Sequence, residues 1–490
     1  MKNRSLKVNT LLNTFRMLLT VLIPLITFPY TSRIFLTEGS GKLNFSSSIV
    51  QVFVLLASLG IYSYGVREGT KVRNDRNKFS KFAQELLFVN GISTILTYIV
   101  FFSCVFFLPS IENYKLLLLI NGVTIGFAAL GLDWVYGVYE DYLYITVRQV
   151  IIQIFTIITM FVFIHDMSDI YLWAFLLVLS STGANIFNFV HARKYIDFHY
   201  QKNNCYRIRP HIRPILILFA TQLAAKVYLN IDTILLGIQS TDHHVGLYSA
   251  AVKLNTILIT FFTAMMPVFV PKIVESISSD NKRDYIVLIK KILTLIVSLT
   301  LPAVVGIEIF GEEIIALLAG EAFIDAAITI RILAPIVLIT SIANVFYYNI
   351  LVPNGREKIV LYCTIIGATC NLVISVILIP TIQENGAAVG SLISEILALM
   401  VAVRASIKMD NSLVSGLPNI KNYLLGSIGI ILWCMFVKML FTNNLLLLLV
   451  GITGSVCIYG IVLLLFKDMV AIEIVNVVKK KLKKGVNKKK

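Results

Sequence analysis

The stretch NTFRMLLTVLIPLITFPYTSRI (residues 13–34) decides the fold class of this 490-residue chain. It is long and apolar enough for a helix to cross the membrane, which takes roughly 20 residues. The whole chain agrees with it, since 57% of the residues are hydrophobic and only 14% are charged, against about 25% charged in soluble proteins. Runs such as LLVLSSTGANIF lack the alternation of a β-barrel. We therefore predict an all-α integral membrane protein.

Hydropathy along the chain predicts about fourteen transmembrane helices. The first follows a basic start, and it runs past signal-peptide length without a small-residue cleavage site, so we interpret it as retained. The predicted spans are 10–36, 44–66, 82–108, 115–137, 142–164, 170–192, 213–238, 247–271, 287–310, 328–352, 358–380, 385–407, 421–442 and 445–466.

The distribution of Lys and Arg predicts the orientation, because short basic loops stay in the cytoplasm. Basic segments such as 67–81 and 193–213 alternate with segments that are nearly free of Lys and Arg, such as 36–42 and 310–327. Both termini are therefore predicted to be cytoplasmic. The tail KKKLKKGVNKKK (479–490) is either a stop-transfer flank or a contact for the anionic inner leaflet. Topology accounts for most of the +16 net charge, so we predict no nucleic-acid partner.

A weak internal repeat indicates the domain organisation. GKLNFSSSIVQ (41–51) and VGLYSAAVKLN (245–255) both place an aromatic-Ser run after a turn that contains glycine. The two motifs are six predicted helices apart, which fits two related bundles. We predict an N-lobe of helices 1–6 (residues 1–200), a C-lobe of helices 7–12 (201–410), helices 13–14 (411–466) and a basic tail (467–490).

Polar side chains follow one face of three predicted helices. A charge at the bilayer centre costs at least about 2.5–3.5 kcal/mol, so it normally faces a cavity or a partner. We predict a substrate-binding role for Arg16, Lys226 and Lys253, with Asn13, Thr20, Thr256 and Thr260 lining the same faces. The alternatives are snorkelling of the basic side chains and helix packing by the hydroxyl groups.

Acidic residues within the predicted helices are candidates for ion coupling. Asp232 and Glu395 each lie in a predicted span, where a carboxylate can carry a coupling proton or pair with a buried base. Lys226 and Asp232 are six residues apart, on roughly opposite faces of one helix. Asp133, Glu140 and Asp141 are expected at the inner mouth of predicted helices 4 and 5, near Arg148.

The sequence lacks the motifs of an enzyme or a metal site. It contains no Walker loop, no Gly-x-Ser-x-Gly elbow and no HExxH. His243 and His244 are adjacent in a predicted outer loop, without ligand-spaced partners. The six cysteines do not form a disulfide framework. We therefore predict that the protein is not an enzyme, and that it holds no metal and no cofactor beyond an H⁺ or Na⁺ gradient.

Taken in order, several segments resemble the Wzx-type oligosaccharide flippases of bacterial surface-polysaccharide synthesis. This family belongs to a larger group that also contains multidrug extrusion transporters and the lipid II flippase. The segments are 13–34, GKLNFSSSIVQVFVLLASLGI (41–61), REGTKVRND (67–75), GLDWVYGVYEDYLYITVRQVI (131–151), VGLYSAAVKLNTILITFFTAMMPVFVPKI (245–273) and ENGAAVGSLISE (384–395).

The resemblance implies two lobes around a V-shaped cavity that opens alternately to each side of the bacterial inner membrane. The implied cargo is a polyprenyl-diphosphate-linked oligosaccharide, moved to the outer leaflet for O-antigen or capsule assembly. Membrane lipids, a polymerase and other assembly proteins are the expected partners. A diphosphate would suit Arg and Lys. The alternatives are a multidrug or cation antiporter of the same architecture, a lipid II flippase and a membrane enzyme such as a polymerase.

Overall fold

The computed structural model describes residues 6–198, 206–264, 266, 269–279, 281–413, 420–468 and 471–472; its side chains are described from residue 23 onward, except at 221, 224, 225 and 227. Within these residues the chain is helical, with short 3₁₀ and π segments and no strand, which confirms the predicted all-α class. The helices are α1 (Leu6–Ser58), α2 (Ile61–Val72), α3 (Arg76–Phe107), α4 (Lys115–Leu130), α5 (Asp133–Val138), α6 (Tyr142–Phe163), α7 (Ile170–Val178), α8 (Ala184–His191), α9 (Arg209–Gln239), α10 (Asp242–Thr263), α11 (Val270–Ser278), α12 (Lys282–Leu318), α13 (Ala326–Asn344), α14 (Glu357–Met409), α15 (Ile420–Leu440) and α16 (Asn444–Leu465).

Eleven segments of the described chain are long and apolar enough to cross a membrane. The protein is therefore a multi-pass membrane protein. Two of the eleven segments, Ile23–Val72 and Glu357–Met409, are 50 and 53 residues long, more than twice what one crossing needs. The predicted count of fourteen crossings stays a prediction.

Two of the predicted outer turns are breaks inside long helices. Leu36 (φ 51°) interrupts α1, and Ile382 and Gln383 (φ 50°) interrupt α14. The expected loops at 36–42 and 381–385 are therefore wrong, because one or two non-helical residues redirect the chain there. The two parts of α14 pack on each other, since Asn371 Nδ2 donates to Ser391 Oγ at 3.2 Å.

A third predicted outer loop, 310–327, is also largely helical. The helix α12 continues to Leu318, with a single non-helical residue at Phe310. The connection between α12 and α13 is therefore limited to the residues between Leu318 and Ala326.

Two predicted spans are divided by left-handed residues. The span 44–66 breaks at Leu59 and Gly60 (φ 46° and 68°), and the span 115–137 breaks at Leu132 (φ 44°). A Cβ at Gly60 would lie 3.2 Å from the backbone nitrogen of Phe219, so the first break also lets α9 approach closely. Hydropathy does not show such breaks, because the flanking residues remain apolar.

The chain forms two compact units, Met1–Ser249 and Ala250–Lys490, and the division falls inside α10. In the first unit, one core surrounds Phe79 and Trp134 and another surrounds Phe35 and Trp173. In the second unit, the cores surround Phe346 and Phe310. The predicted boundaries at residues 200, 410 and 466 stay predictions.

Candidate functional site

The first polar stripe lies on α1. Asn13, Arg16 and Thr20 belong to this helix, but their side chains lie outside the described residues. At 100° per residue the three positions fall within about 60° of one another around the helix. Further along the stripe, Thr27 Oγ1 donates to the Ile23 carbonyl at 3.1 Å, and Thr31 Oγ1 donates to the Thr27 carbonyl at 2.9 Å. Each of these two buried hydroxyl groups therefore donates to a carbonyl of its own helix.

Lys226 is an exposed cation in the middle of α9. It lies near the middle of the helix, 17 residues after Arg209 and 13 before Gln239, and its side chain is exposed. Asn230 Nδ2 donates to its carbonyl at 2.9 Å. In the part of the chain that the structure describes, no acidic side chain forms an ion pair with it. An ammonium group in this position is suited to an anionic ligand.

Asp232 lies on the same helix in the opposite environment. It is 4% exposed, and its Oδ2 accepts a hydrogen bond from Tyr248 Oη at 2.9 Å. The sequence places Lys226 and Asp232 on roughly opposite faces of this helix. The structure agrees with this, because Lys226 is exposed and Asp232 is buried. Tyr248 is the aromatic residue of the second repeat motif, so this motif anchors the Asp232 carboxylate.

The third stripe lies on α10. Lys253 is half-buried, Thr256 is exposed and Thr260 is half-buried. Thr260 Oγ1 donates to the Thr256 carbonyl at 2.8 Å, which uses its proton but leaves oxygen lone pairs for another donor. The helix is continuous from Asp242 to Thr263, so the three side chains share one face as the spacing predicted.

The second coupling candidate, Glu395, lies in α14. Its Oε2 accepts a hydrogen bond from Thr340 Oγ1 of α13 at 3.0 Å. Glu395 is half-buried, so it is less enclosed than Asp232.

The predicted cluster near Arg148 forms only in part, because Glu140 pairs instead with Arg73 at 3.5 Å, and Asn188 is a member that sequence reasoning missed. Arg148 Nη2 lies 3.5 Å from Asp133 Oδ1, and Arg148 also donates to Asn188 Oδ1. Asn188 in turn donates to Asp133 Oδ1 at 2.6 Å. Asp141 accepts from Tyr195 Oη at 2.8 Å. This arginine is therefore already neutralised by the protein, unlike Lys226.

The two repeat motifs approach each other where α1 and α10 cross. A Cβ on Gly41 would lie 1.9 Å from the Asp242 carbonyl oxygen, and a Cβ on Gly246 would lie 2.1 Å from the Thr37 carbonyl oxygen. The relation is reciprocal, because each carbonyl belongs to the residue four positions before the other glycine. Only glycine permits so close a backbone contact.

One side-chain hydrogen bond joins the two helices at this crossing, and a second connects α10 to the segment just before α4. Thr37 Oγ1 and His243 Nδ1 are 2.8 Å apart, and Tyr114 Oη donates to Asp242 Oδ1 at 2.6 Å. The expectation that His243 lies in an outer loop is wrong, because it occupies the first turn of α10. The sequence signal for this crossing is a polar residue four positions before the glycine of each motif, Thr37 before Gly41 and Asp242 before Gly246.

No metal site emerges among the described residues, since no group of three or more His, Cys, Asp or Glu side chains is placed to hold an ion. The five described cysteines are free thiols.

Comparison with known proteins gives a consistent result. A family model described as "Polysaccharide biosynthesis protein" matches residues 6–277. The chain is 21% identical over 384 residues to the "putative O-antigen transporter" of Escherichia coli (strain K12), covering 77% of this chain and 90% of that protein. It is 25% identical over 256 residues to a "probable low-salt glycan biosynthesis flippase" of Haloferax volcanii, covering 51% of this chain. That match spans about half of the relative, 52% of its length.

A solved structure of a lipid II flippase in an inward closed conformation has a similar fold. The TM-score is 0.72, with 16% identity over 94% of this chain and 99% of that chain. The relatives are named as transporters and flippases, which agrees with the prediction that this protein is not an enzyme. With a family match over more than half of its residues, the chain belongs to the polysaccharide biosynthesis protein family, as the resemblance predicted.

Proposed function

We propose that the protein is a flippase that moves polyprenyl-diphosphate-linked oligosaccharide repeat units to the outer leaflet of the bacterial inner membrane. The cargo would feed O-antigen, capsule or a similar surface polymer. The family match and the named relatives support this proposal. Transport would proceed by alternating access, with both termini in the cytoplasm and a polymerase receiving the product.

The observation that carries the proposal is Lys226. An exposed ammonium group halfway along a largely apolar helix is costly unless water or an anion meets it, and a diphosphate supplies the anion. Arg16 and Lys253 are further candidate contacts for phosphate, each on its own polar stripe. Asn13, Thr20, Thr256 and Thr260 offer amide and hydroxyl groups of the kind that bind sugars.

An ion gradient is the proposed energy source. Asp232 and Glu395 are the candidate coupling residues, and H⁺ or Na⁺ the candidate ion. The burial of Asp232 supports a coupling role, since a buried carboxylate strongly favours a proton or a cation as its partner.

Replacement of Lys226 tests the proposed site. We expect Lys226→Gln to reduce surface polymer at least about tenfold, because loss of a charge-assisted contact worth about 1.5–3 kcal/mol weakens cargo binding by that order. The lipid-linked intermediate should accumulate at the inner leaflet. Lys115→Gln is the matched control, because Lys115 pairs with Glu112 at 3.1 Å at the start of α4. Normal polymer in Lys226→Gln, Arg16→Gln and Lys253→Gln cells, at normal protein levels, would refute the site.

A lipid II flippase is the second candidate, and the likeness to the solved lipid II flippase favours it at the level of fold alone. Depletion of the protein separates the two candidates. We expect surface polymer to be lost while growth of the cell wall continues. Arrest of cell-wall growth would indicate lipid II as the cargo, and hypersensitivity of a deletion strain to cationic drugs would indicate an antiporter.

A further inference from the structure

Two chain segments lie side by side against the beginning of α3. In the segment that follows α8, the Asp197 backbone nitrogen donates to Ser80 Oγ at 2.9 Å, and the Asp197 carbonyl accepts from Gln84 Nε2 at 2.7 Å. In the segment that precedes α9, Tyr206 Oη donates to Gln84 Oε1 at 2.5 Å. The side-chain amide of one α3 residue therefore joins both segments to this helix.

Three more contacts fix the ends of this arrangement. Arg76, the first residue of α3, donates from Nη2 to the Arg193 carbonyl at 3.4 Å. The Arg207 backbone nitrogen donates to Glu85 Oε1 at 2.8 Å, and His211 Nε2, in the first turn of α9, lies 2.9 Å from Glu85 Oε2. The residues after α8 and the first turn of α9 are therefore both held against α3.

Six basic side chains are exposed around these contacts. We call them the basic surface, and they are Arg76, Arg193, Lys194, Arg207, Arg209 and Arg213. Within the described ranges, none of the six forms an ion pair. Nearby acids have other partners, since Asp75 pairs with Lys78 at 3.3 Å and Asp141 accepts from Tyr195 Oη at 2.8 Å. Asp197 adds one exposed carboxylate, which leaves a clear excess of positive charge.

The basic surface lies at the membrane end of its helices. Two of the segments able to cross a membrane end there, since Arg76 is the first residue of Arg76–Phe107 and Lys194 is the last residue of Met167–Lys194. The apolar side chain of Val190 is exposed about one helical turn before Lys194. The cations therefore lie where hydrocarbon tails give way to phospholipid headgroups.

The beginning of α9 repeats this pattern. Arg209 and Arg213 are four residues apart, so they share one helix face. Leu216 and Ile217 continue this face as exposed apolar side chains, an arrangement suited to a membrane interface. An acidic protein would match the charge but not the apolar continuation. Charge and apolar exposure together therefore favour an anionic phospholipid as the occupant.

We infer that the basic surface binds the headgroup phosphates of anionic phospholipids in the leaflet that it faces, which the distribution of Lys and Arg predicts to be the cytoplasmic one. Five of its six cations are arginines, whose guanidinium groups bind phosphate through two parallel hydrogen bonds. Because the surface is built from α3, α9 and the residues after α8, a lipid bound there stabilises their packing. This lipid is a different ligand from the proposed cargo, and its site contains no candidate residue for cargo or ion binding.

Thermal unfolding of the purified full-length protein in detergent, with added phosphatidylglycerol or phosphatidylcholine, tests the inference. A ligand that binds the folded state raises Tm. We therefore expect anionic phosphatidylglycerol to raise the wild-type Tm by at least about 2 °C more than phosphatidylcholine does. The triple variant Arg76→Gln/Arg193→Gln/Lys194→Gln should lose most of this difference.

A second triple variant, Arg67→Gln/Lys71→Gln/Lys78→Gln, is the matched control. It removes the same charge, but from cations that pair with Glu68 and Asp75, and it should keep the lipid-dependent difference in Tm. Lys226→Gln should keep it as well, which separates the basic surface from the proposed cargo site.

Native mass spectrometry covers the case in which the first triple variant does not fold. We expect the wild type to retain more phosphatidylglycerol than the single variants Arg193→Gln and Lys194→Gln do, and inorganic phosphate alone should not reproduce the gain in Tm. Equal retention in these proteins, equal gains from the two lipids, equal gains in the two triple variants, or an equal gain from inorganic phosphate would overturn the inference. So would an acidic protein that copurifies with the wild type alone, without any lipid effect. No readout involves the cargo, so the proposed transport function keeps its own test.

Discussion

At the scale of single residues, environment separates charges that look alike in the sequence. Lys226 is exposed in mid-helix, whereas Arg148 is paired with Asp133. Both are basic residues in apolar helices, but only the first still lacks an acidic partner among the described side chains. Lys226 is therefore the candidate for cargo binding, because no described acidic side chain neutralises its charge.

Asp410, at the end of α14, illustrates a charge with a structural role. Its carboxylate accepts from Lys282 Nζ at 2.8 Å and from the Ser412 backbone nitrogen at 2.9 Å. The Lys282 ammonium group, followed by the Ser412 hydrogen bonds, lowers the pKa of Asp410 to about 2. The pair connects the beginning of α12 to the end of α14.

We expect Asp410→Asn to lower stability at pH 7 by less than about 1 kcal/mol, because Lys282 is largely exposed and such pairs are screened. A lowered pKa stabilises the folded state above the unfolded value, near 3.9, and this stabilisation is lost as the pH falls towards 2. Thermal unfolding at pH 7 and at pH 2.5 should show the wild type approaching the variant in acid. Asp325→Asn is the control, and an equal gap at both pH values would contradict the assignment.

At the scale of elements, the crossing of α1 and α10 depends on two glycines. The backbones touch through Gly41 and Gly246, and Thr37 and His243 add a hydrogen bond. Neither helix is unusual by composition. The contact is specified by small residues placed at matching positions in the two repeat motifs.

We expect Gly246→Ala to destabilise the protein by about 1–3 kcal/mol, the usual cost of overpacking, because its Cβ would lie 2.1 Å from a carbonyl oxygen. The backbone oxygen of Thr37 cannot move aside without moving α1. Gly306→Ala is the matched control within a helix, since nothing lies within 4 Å of a Cβ there, and it should be neutral or slightly stabilising. Equal Tm values for the two variants would refute the close-contact argument.

At the scale of the whole molecule, we predict that α1 and α10 separate at their predicted outer ends during each cycle of the proposed alternating access. A link across the crossing should therefore stop transport. In a background without native cysteines, we expect oxidised Thr37→Cys/His243→Cys protein to lose surface polymer and a membrane-permeant reductant to restore it.

The single variants Thr37→Cys and His243→Cys control for the substitutions themselves, and neither should respond to oxidant. Wild-type polymer levels with a fully cross-linked double variant would contradict alternating access at this crossing. This outcome would leave the role of Lys226 open to its separate test.

Sequence reasoning predicted well which side chains of the candidate site share a face of a helix. Hydropathy and spacing placed Lys226 and Asp232 on opposite faces, and put Lys253, Thr256 and Thr260 on one face. The helical breaks at Leu36, Leu132 and Gln383 were not predicted, because each depends on one backbone torsion and leaves the hydropathy of its neighbours unchanged.

The amino-acid sequence by itself determined that the chain is an all-helical membrane protein and which faces of its helices are polar. Both properties are local, since they follow from hydrophobicity per residue and from the 3.6-residue period. The tertiary structure alone decided which polar groups meet. Glu85 and His211 are 126 residues apart, and Thr37 and His243 are 206 apart, so their hydrogen bonds exist only after distant helices have packed.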